Sequence, residues 1–326
     1  MVVNWGFLGA GFVASRGLAP AVHASRGANL YAVASRDEKR SATLEPERVH
    51  ATYDDLLADE RVDAVYISLS NSQHLEWVTK SLEAGKHVLC EKPLGLNASE
   101  TEKMFACASR NDQLLVEAVW GRWHPRFSRM VEVATSGAIG NIEHIETAFT
   151  FTSEMTDNYR LNPLMGGGAL LDVGCYQAHA WVALTNGAAD MAIDNLARSI
   201  GPTGIDLTTD VSVRINNSIT AHAVSSFALP SQQQFIVRGS QGKMQTDVGE
   251  SFTTWNEASS LRINVVVEEF AVTNAFVEMV ENVSNIIRGE EGWIVPSTDS
   301  IRVAHILDSI ARHSTWAADR VGQQGT

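Results

Sequence analysis

The stretch GFLGAGFVA, residues 6–14, constrains the fold more tightly than any other part of the chain. It joins an apolar run to a predicted helix over 12–24 and contains a G-x-G-x-x-A turn. The first glycine permits a tight turn, the second allows a ligand to approach the backbone, and the alanine keeps helix and strand close. Because helix N–H groups point into such a turn, it predicts a site for the pyrophosphate of a dinucleotide. The predicted contacts are Gly9, Ala10, Gly11, Phe12 and Val13, with Ala14 as the third small residue.

Strand-like and helix-like segments alternate in the first third of the chain, up to about residue 120. Short, nearly continuous apolar runs such as DAVYISL (63–69) and HVLC (87–90) are separated by helical patterns, for example over 72–84. Strands of this kind are buried on both faces, so the pattern predicts a parallel sheet covered by helices. With the glycine turn at its start, this half is predicted to be a Rossmann domain.

The pattern changes after Pro125. A helix over 125–135 is followed, between residues 190 and 269, by strand-like segments with polar alternation, and two helices over 272–288 and 298–316 close the chain. Polar alternation is typical of a mostly antiparallel sheet with one solvated face. The predicted fold class is α/β, with an N-terminal Rossmann parallel-sheet domain (1–122) and a C-terminal α+β domain with an open, mostly antiparallel sheet (123–326). The last helix is expected to be able to pack back on the N-terminal domain.

The charge and cysteine content exclude several classes of partner. Lysine and arginine number 25 against 38 acidic residues, a net charge of −13. Neither nucleic acid nor an anionic membrane is therefore an expected partner. The three cysteines are widely spaced, as is usual for free thiols in a reducing compartment. The N-terminus lacks a basic leader and the chain lacks an apolar run that could span a bilayer, so we expect a cytoplasmic protein.

The end of the second predicted strand, AVASRDEKR, bears on cofactor choice. NAD-preferring sites carry an acid about 20 residues after the glycine turn, where it binds the ribose 2′-hydroxyl. Here the corresponding positions are Ser35 and Arg36, with Arg40 one helical turn further. A hydroxyl and guanidinium groups suit a 2′-phosphate, so NADP is preferred over NAD. Two alternatives stay open: Asp37 as the ribose ligand after a one-residue slip, and a solvated helix start without a cofactor role.

Seven motifs, in this order, resemble those of the glucose–fructose oxidoreductase / inositol dehydrogenase / rhizopine-catabolism (Gfo/Idh/MocA) family. They are GFLGAGFVA, AVASRD, YDDLL, SNSQH, AGKHVLCEKPLG, SGAIGNI and GGGALLDVGCY. Within the family, EAVWGRWHP (117–125) and RLNPLMGGGALLDVGCY (160–176) are most similar to the branch of NADP-linked sugar and diol dehydrogenases.

The resemblance implies a Rossmann domain and a second domain whose open sheet forms a homodimer or a larger homo-oligomer. It also implies that Lys92 lies near the nicotinamide and the substrate. The other matching positions are Ser70, Asn71, His74 and Arg160 on the cofactor side and Tyr159 on the substrate side.

Three side chains on the predicted glycine-initiated helix form the candidate catalytic group. Asp172, Tyr176 and His179 are spaced i, i+4 and i+7, so all three project from one face. Alcohol oxidation requires a base for the hydroxyl proton, and a phenol with a pKa near ~10 acts as one only beside a cation. We therefore predict that Tyr176 exchanges the substrate proton, Lys92 lowers its pKa and orients the reacting oxygen, and Asp172 holds a sugar hydroxyl or the lysine. His179 is either a substrate contact or a structural residue.

The segment HVLCEKPLG (87–95) places Lys92 where a buried strand stops. Pro93 fixes the turn and Glu91 is expected to bond backbone amides at the cofactor edge. Since open parallel sheets bind ligands at the carboxyl ends of their strands, this turn is predicted to border the cofactor.

The cluster WGRWH (120–124) follows the last strand of the Rossmann domain. Trp120 is a candidate to stack on the nicotinamide and Arg122 to bind a substrate oxygen, while packing between domains explains the tryptophans equally well. No histidine or cysteine spacing indicates a metal site.

These observations favour an NAD(P)-dependent dehydrogenase or reductase that transfers a hydride between the nicotinamide and a CH–OH group of a sugar, polyol or cyclic diol. The family also includes a non-catalytic NAD(P)-binding regulator and glycosidases that use bound NAD for transient oxidation. The presence of Lys92, Asp172 and Tyr176 argues against the regulator, because a protein that only binds the cofactor has no need of them.

Overall fold

The computed structural model describes residues 2–152, 158–187, 190–247 and 251–313. The chain forms two compact units, each assembled from separate segments. The first unit consists of Met1–Arg129, Thr253–Ser259 and Glu269–Ala304, and the second of Met130–Phe252, Ser260–Glu268 and His305–Thr326. The α-helices of the described residues are α1 (Ala19–Ala24), α2 (Glu38–Ala42), α3 (Tyr53–Ala58), α4 (His74–Glu83), α5 (Ala98–Arg110), α6 (Pro125–Thr135), α7 (Cys175–Leu184), α8 (Ala275–Ile287) and α9 (Ser297–Arg312). A π-helical turn, Ala14–Leu18, leads into α1. None of the helices in these ranges combines the length and the apolar composition that crossing a membrane requires.

The first unit contains a six-stranded parallel sheet in the order β3-β2-β1-β4-β5-β6. Its strands are β1 (Val3–Leu8), β2 (Ala28–Ala34), β3 (Arg48–His50), β4 (Ala64–Ile67), β5 (His87–Glu91) and β6 (Leu115–Ala118). The strand order reverses beside β1, which pairs with β2 on one side and β4 on the other. A crevice at the carboxyl ends of β1 and β4 is the usual ligand site of such sheets. The predicted alternation and the parallel sheet are confirmed.

The helices of this unit begin and end where their sequences dictate. Helix α4 buries an apolar stripe that includes Trp77, Val78 and Leu82, and burial of each such side chain contributes about 1.5–3 kcal/mol. The chain leaves α4 through Gly85, whose φ of 74° lies in the left-handed region that glycine adopts without strain.

The second unit contains an eight-stranded sheet in the order β14-β13-β12-β11-β7-β10-β9-β8. Its strands are β7 (Ile142–Thr150), β8 (Met191–Ile200), β9 (Asp206–Ile215), β10 (Ile219–Ser226), β11 (Gln232–Gly239), β12 (Gly242–Thr246), β13 (Ser259–Ile263) and β14 (Val266–Phe270). Most recorded pairings are antiparallel, and the central pair β7–β10 is parallel. The predicted mostly antiparallel sheet is therefore confirmed.

Alternating burial orients this sheet. On β9 the side chains of Thr209, Val211 and Val213 are buried, while the residues between them are partly exposed. Helix α7 lies on the buried face, where Gln177 accepts a hydrogen bond from Thr147 Oγ1 at 2.9 Å and donates one to Ser225 Oγ at 2.9 Å.

Candidate active site

The glycine turn follows β1 directly. Gly9 has a φ of 98°, and a Cβ atom on it would lie 2.8 Å from the Ser68 carbonyl oxygen, so glycine is required there. At Gly11 the nearest atom to an added Cβ is 3.8 Å away, which leaves the backbone open to a ligand. Ala14 is fully buried, Ala10 is buried, and the Phe12 ring is 78% exposed. A tight turn at Gly9 and an open backbone at Gly11 are what a pyrophosphate requires, so the predicted contacts fit a dinucleotide.

The contacts of Asp37 bear on the ambiguity at the end of β2. Its Oδ1 accepts the backbone N–H groups of Lys39 at 3.0 Å and Arg40 at 3.2 Å, as the N-cap of α2. The Ser35 hydroxyl donates to the Asp37 carbonyl at 2.8 Å. The cap uses only Oδ1, so binding of the ribose by the same carboxylate stays an open alternative. The exposed side chains of Arg36 and Arg40 offer positive charge to a phosphate.

The Lys92 turn at the end of β5 is held by three side chains from other elements. The Tyr66 hydroxyl donates to Glu91 Oε1 at 2.7 Å, and Glu117 Oε1 accepts the Leu94 N–H at 3.0 Å. His74 Nδ1 lies 3.0 Å from the Pro93 carbonyl oxygen. Together these contacts fix the backbone on both sides of Lys92, whose peptide bond to the proline is cis.

The surroundings of His74 and Glu91 bear on their predicted roles. The His74 ring is fully buried, its Nε2 is 3.3 Å from the Leu69 carbonyl oxygen, and burial lowers its pKa. Burial favours the neutral imidazole, which can donate to only one of these two carbonyl oxygens, and a direct cofactor contact stays a prediction. Glu91 accepts a hydrogen bond from the Tyr66 phenol, and its bonds to backbone amides stay a prediction. In the same region Asn71 is buried, and Ser70 Oγ donates to Gln73 at 3.0 Å.

Trp120 and Arg122 make their recorded contacts within the first unit. The Trp120 ring packs against Phe276 with centroids 4.9 Å apart. The Arg122 guanidinium is buried and pairs with Asp299 at 3.1 Å, and it also lies over the ring of Trp293. These contacts favour a structural role for Arg122, and its substrate contact stays a prediction.

The second unit carries the helix with the other candidate residues. The helix starts with a π-helical turn, Leu170–Gly174, and continues as α7, so its first turn is wider than the ideal α-helix assumed for the spacing. Such turns occur frequently at functional sites. Asp172 and Tyr176 are buried, and His179 is 1% exposed. The Tyr176 ring lies 5.7 Å from the ring of Phe149, centroid to centroid.

An ion pair that sequence reasoning missed joins two predicted site residues. Arg160 Nε donates to Asp172 Oδ2 at 2.7 Å, and the guanidinium lies 4.9 Å from the centre of the Tyr159 ring. Burial acts to lower the pKa of Arg160, but the charge of Asp172, with contributions from Tyr159 and Tyr176, raises it overall. The second unit thus pairs a permanent cation with Asp172, which lies four residues before Tyr176 on the same helix.

Among the described residues, no three histidine, cysteine, aspartate or glutamate side chains are grouped as metal ligands.

Comparisons with known proteins bear on the whole chain. The family model described as "Oxidoreductase family, NAD-binding Rossmann fold" matches residues 3–118, and the model of the GFO/IDH/MocA C-terminal domain matches residues 127–245. The chain is 30% identical over 314 residues to D-xylose 1-dehydrogenase (NADP(+)) 2 from Haloferax volcanii, covering 94% of this chain and 95% of that protein. It is 28% identical over 255 residues to trans-1,2-dihydrobenzene-1,2-diol dehydrogenase from Xenopus laevis, covering 75% of each.

A solved structure agrees with these relatives. It is a 3-ketoreductase from Actinomadura kijaniata in complex with NADP and TDP-benzene, 26% identical, with a TM-score of 0.87 over 95% of this chain and 97% of that one. The family, the fold class and the NAD(P)-dependent oxidoreductase activity predicted from the sequence are thereby confirmed. The chain belongs to the GFO/IDH/MocA oxidoreductase family.

Proposed function

We propose that this protein transfers a hydride between NADP and a CH–OH group of a sugar, polyol or cyclic diol. The observation that carries the proposal is the ion pair between Arg160 and the buried Asp172, which lies four residues before the buried Tyr176 on the same helix. The substrate class rests on the relatives, which are named for D-xylose and a cyclic diol.

In the proposed reaction Tyr176 takes the hydroxyl proton during oxidation and returns it during reduction. A phenolate forms near neutral pH only when positive charge stabilises it. Arg160 is a permanent cation paired with Asp172 on the helix of this tyrosine, and Lys92 is proposed as a further cation and as the group that orients the reacting oxygen. Asp172 accepts from Arg160 and is proposed to hold a sugar hydroxyl or Lys92.

NADP is the proposed cofactor, with NAD as the alternative. When bound, it accepts or supplies the hydride. Within the chain, Gly9 and Gly11 receive the pyrophosphate, and Arg36 and Arg40 bind the 2′-phosphate while Asp37 caps α2. The D-xylose dehydrogenase relative is named for NADP(+), and the ketoreductase structure contains NADP.

Turnover of two variants tests the chemistry. Tyr176→Phe and Lys92→Ala are each expected to lower kcat by about a hundredfold or more, the range of general acid–base catalysis, with the Kd for NADP nearly unchanged. The assay is absorbance of the reduced nicotinamide with aldopentoses, aldohexoses, inositols and cyclic diols. Tyr31→Phe is the matched control, because its hydroxyl binds Asp59 in the first unit. Near-normal turnover of either test variant would overturn the roles assigned, and absence of turnover with tight NADP binding would favour the regulator.

We further propose that the protein is a cytoplasmic homodimer or higher homo-oligomer, with a dinucleotide domain over 1–122 and a substrate and oligomerisation domain over 123–326. The three cysteines are free thiols, in keeping with a reducing compartment. Side chains on the face of the second sheet opposite α7, such as Glu146, His222 and Gln234, are partly exposed and form the proposed contact. Sedimentation velocity tests the assembly, and a monomer at micromolar concentration would contradict it.

A further inference from the structure

The helix that carries Asp172 and Tyr176 follows Gly168, which has no side chain to cap it. Gly168 precedes the first helical residue and has a φ of 120°, a conformation open to glycine. A Cβ atom on Gly168 would collide with Asp206 Oδ1, so no side chain fits there. The first N–H groups of a helix lack partners within the helix, so a capping acceptor must come from elsewhere in the chain.

Asp206, at the start of β9, supplies this acceptor from 36 residues away. Its Oδ2 accepts the Leu170 N–H at 2.8 Å and the Thr209 hydroxyl at 2.8 Å. The carboxylate also places negative charge at the helix N-terminus, where the helix dipole favours it.

The segment that Asp206 holds is bonded to both members of the site ion pair. The Gly168 N–H donates to the Arg160 carbonyl oxygen at 2.9 Å, and the Gly168 carbonyl oxygen accepts the Asp172 N–H at 3.1 Å. A Cβ on Gly167 would collide with the Arg160 carbonyl group, so the arginine loop packs directly on the glycines.

We propose that Asp206 is a positioning residue for the reaction. By holding Gly168 and Leu170 it sets the distance between the Arg160 guanidinium and the Asp172 carboxylate, and through them the surroundings of the Tyr176 phenol. This inference rests on the proposed function of that group. Neither the sequence patterns nor the site residues predicted from them include Asp206.

The test compares Asp206→Ala, Asp206→Asn and Thr209→Val with Asp308→Ala as the control. Asp308 lies on α9 in the second unit and pairs with Arg312 at 2.7 Å. We expect Asp206→Ala to lower kcat by about ten- to a hundredfold, the usual cost of a misplaced catalytic group, with the KM for NADP within about twofold of the wild type. Asp206→Asn should restore most of kcat, because an amide oxygen also accepts the Leu170 N–H. Thr209→Val, which keeps the side-chain shape, should lower kcat about threefold.

Amide hydrogen exchange over residues 158–172 separates this inference from the proposed function. Faster exchange in Asp206→Ala, with wild-type exchange in Asp308→Ala, supports the positioning role even if no sugar or diol is turned over. Wild-type exchange and kcat in Asp206→Ala would overturn it. If Asp206→Ala does not fold, the other two variants decide. Wild-type kcat and exchange in Thr209→Val would overturn the inference, and so would a kcat in Asp206→Asn that stays far below the wild-type value.

Discussion

The ion pair between Arg160 and Asp172 is predicted to contribute a measurable coupling energy to the stability of the second unit. The Nε–Oδ2 distance is 2.7 Å, and the side chains are 29% and 10% exposed. At an effective dielectric constant of about 20, opposite charges about 4 Å apart attract by roughly 4 kcal/mol, and desolvation offsets part of this. Replacement of the arginine leaves a carboxylate buried without its cation. We therefore expect Arg160→Met to lower the free energy of unfolding by about 2–3 kcal/mol.

A double-mutant cycle isolates the pair. The double variant Arg160→Met/Asp172→Asn leaves no buried charge without its counterion. Its loss of free energy of unfolding should therefore be smaller, by about 1.5–2 kcal/mol, than the sum of the losses in the two single variants. The measurement is urea unfolding followed by circular dichroism and tryptophan fluorescence. The matched control is the cycle on Arg214 and Asp194, whose atoms are 2.6 Å apart but whose side chains are 48% and 35% exposed. That coupling should stay below about 0.5 kcal/mol. Additive losses at the buried pair would refute the reasoning.

Two further predictions concern the first unit. Arg36→Ala should weaken NADP binding roughly tenfold and leave NAD binding unchanged, because it removes a charge-assisted contact to the 2′-phosphate. Fluorescence titrations with each cofactor measure both affinities, and an equal loss of affinity for both would assign the arginine another role. At Asp59, burial acts to raise the pKa, but hydrogen bonds from the Arg61 backbone, Arg48 and Tyr31 lower it to about 2. Because this folded-state pKa is lower than the unfolded-state pKa, the charged carboxylate stabilises the folded protein. The stabilisation is complete above about pH 4 and is lost as the pH falls toward 2. Because solvent screens the exposed arginines, we expect Asp59→Asn to lower the free energy of unfolding by about 1 kcal/mol at pH 6 and by less at pH 3, as measured by urea unfolding. An equal loss at both pH values would contradict the linkage.

The pattern of the sequence was sufficient for most of the fold, because buried parallel strands and half-buried antiparallel strands have different periodicities. The helix predicted over 125–135 has these bounds in the structure, and the one predicted over 72–84 is α4, His74–Glu83. The π-helical turn at Leu170–Gly174 was not predicted, because it depends on how the helix start is packed against β9 and β10.

The partners of the site residues were harder to predict than the residues themselves. The pairs Arg160–Asp172 and Tyr66–Glu91 join positions 12 and 25 residues apart, and nothing local in the sequence specifies either. Glu117 is different, because a carboxylate within the apolar run QLLVEAV is itself a signal of a buried acceptor. The capping role of Asp37 also required the structure, since a carboxylate at this position suits both a helix cap and a ribose ligand.

The central claim is hydride transfer between the carbon atom that bears a hydroxyl and NADP. Incubation of the protein with NADP⁺ and an aldopentose deuterated at all of its carbon atoms, followed by mass spectrometry of the cofactor, tests it directly. We predict NADPH that carries one deuterium on the nicotinamide ring, with the same transfer nearly abolished in Tyr176→Phe. NADPH without deuterium, or no reduced cofactor with any aldose, inositol or cyclic diol deuterated in the same way, would contradict the claim.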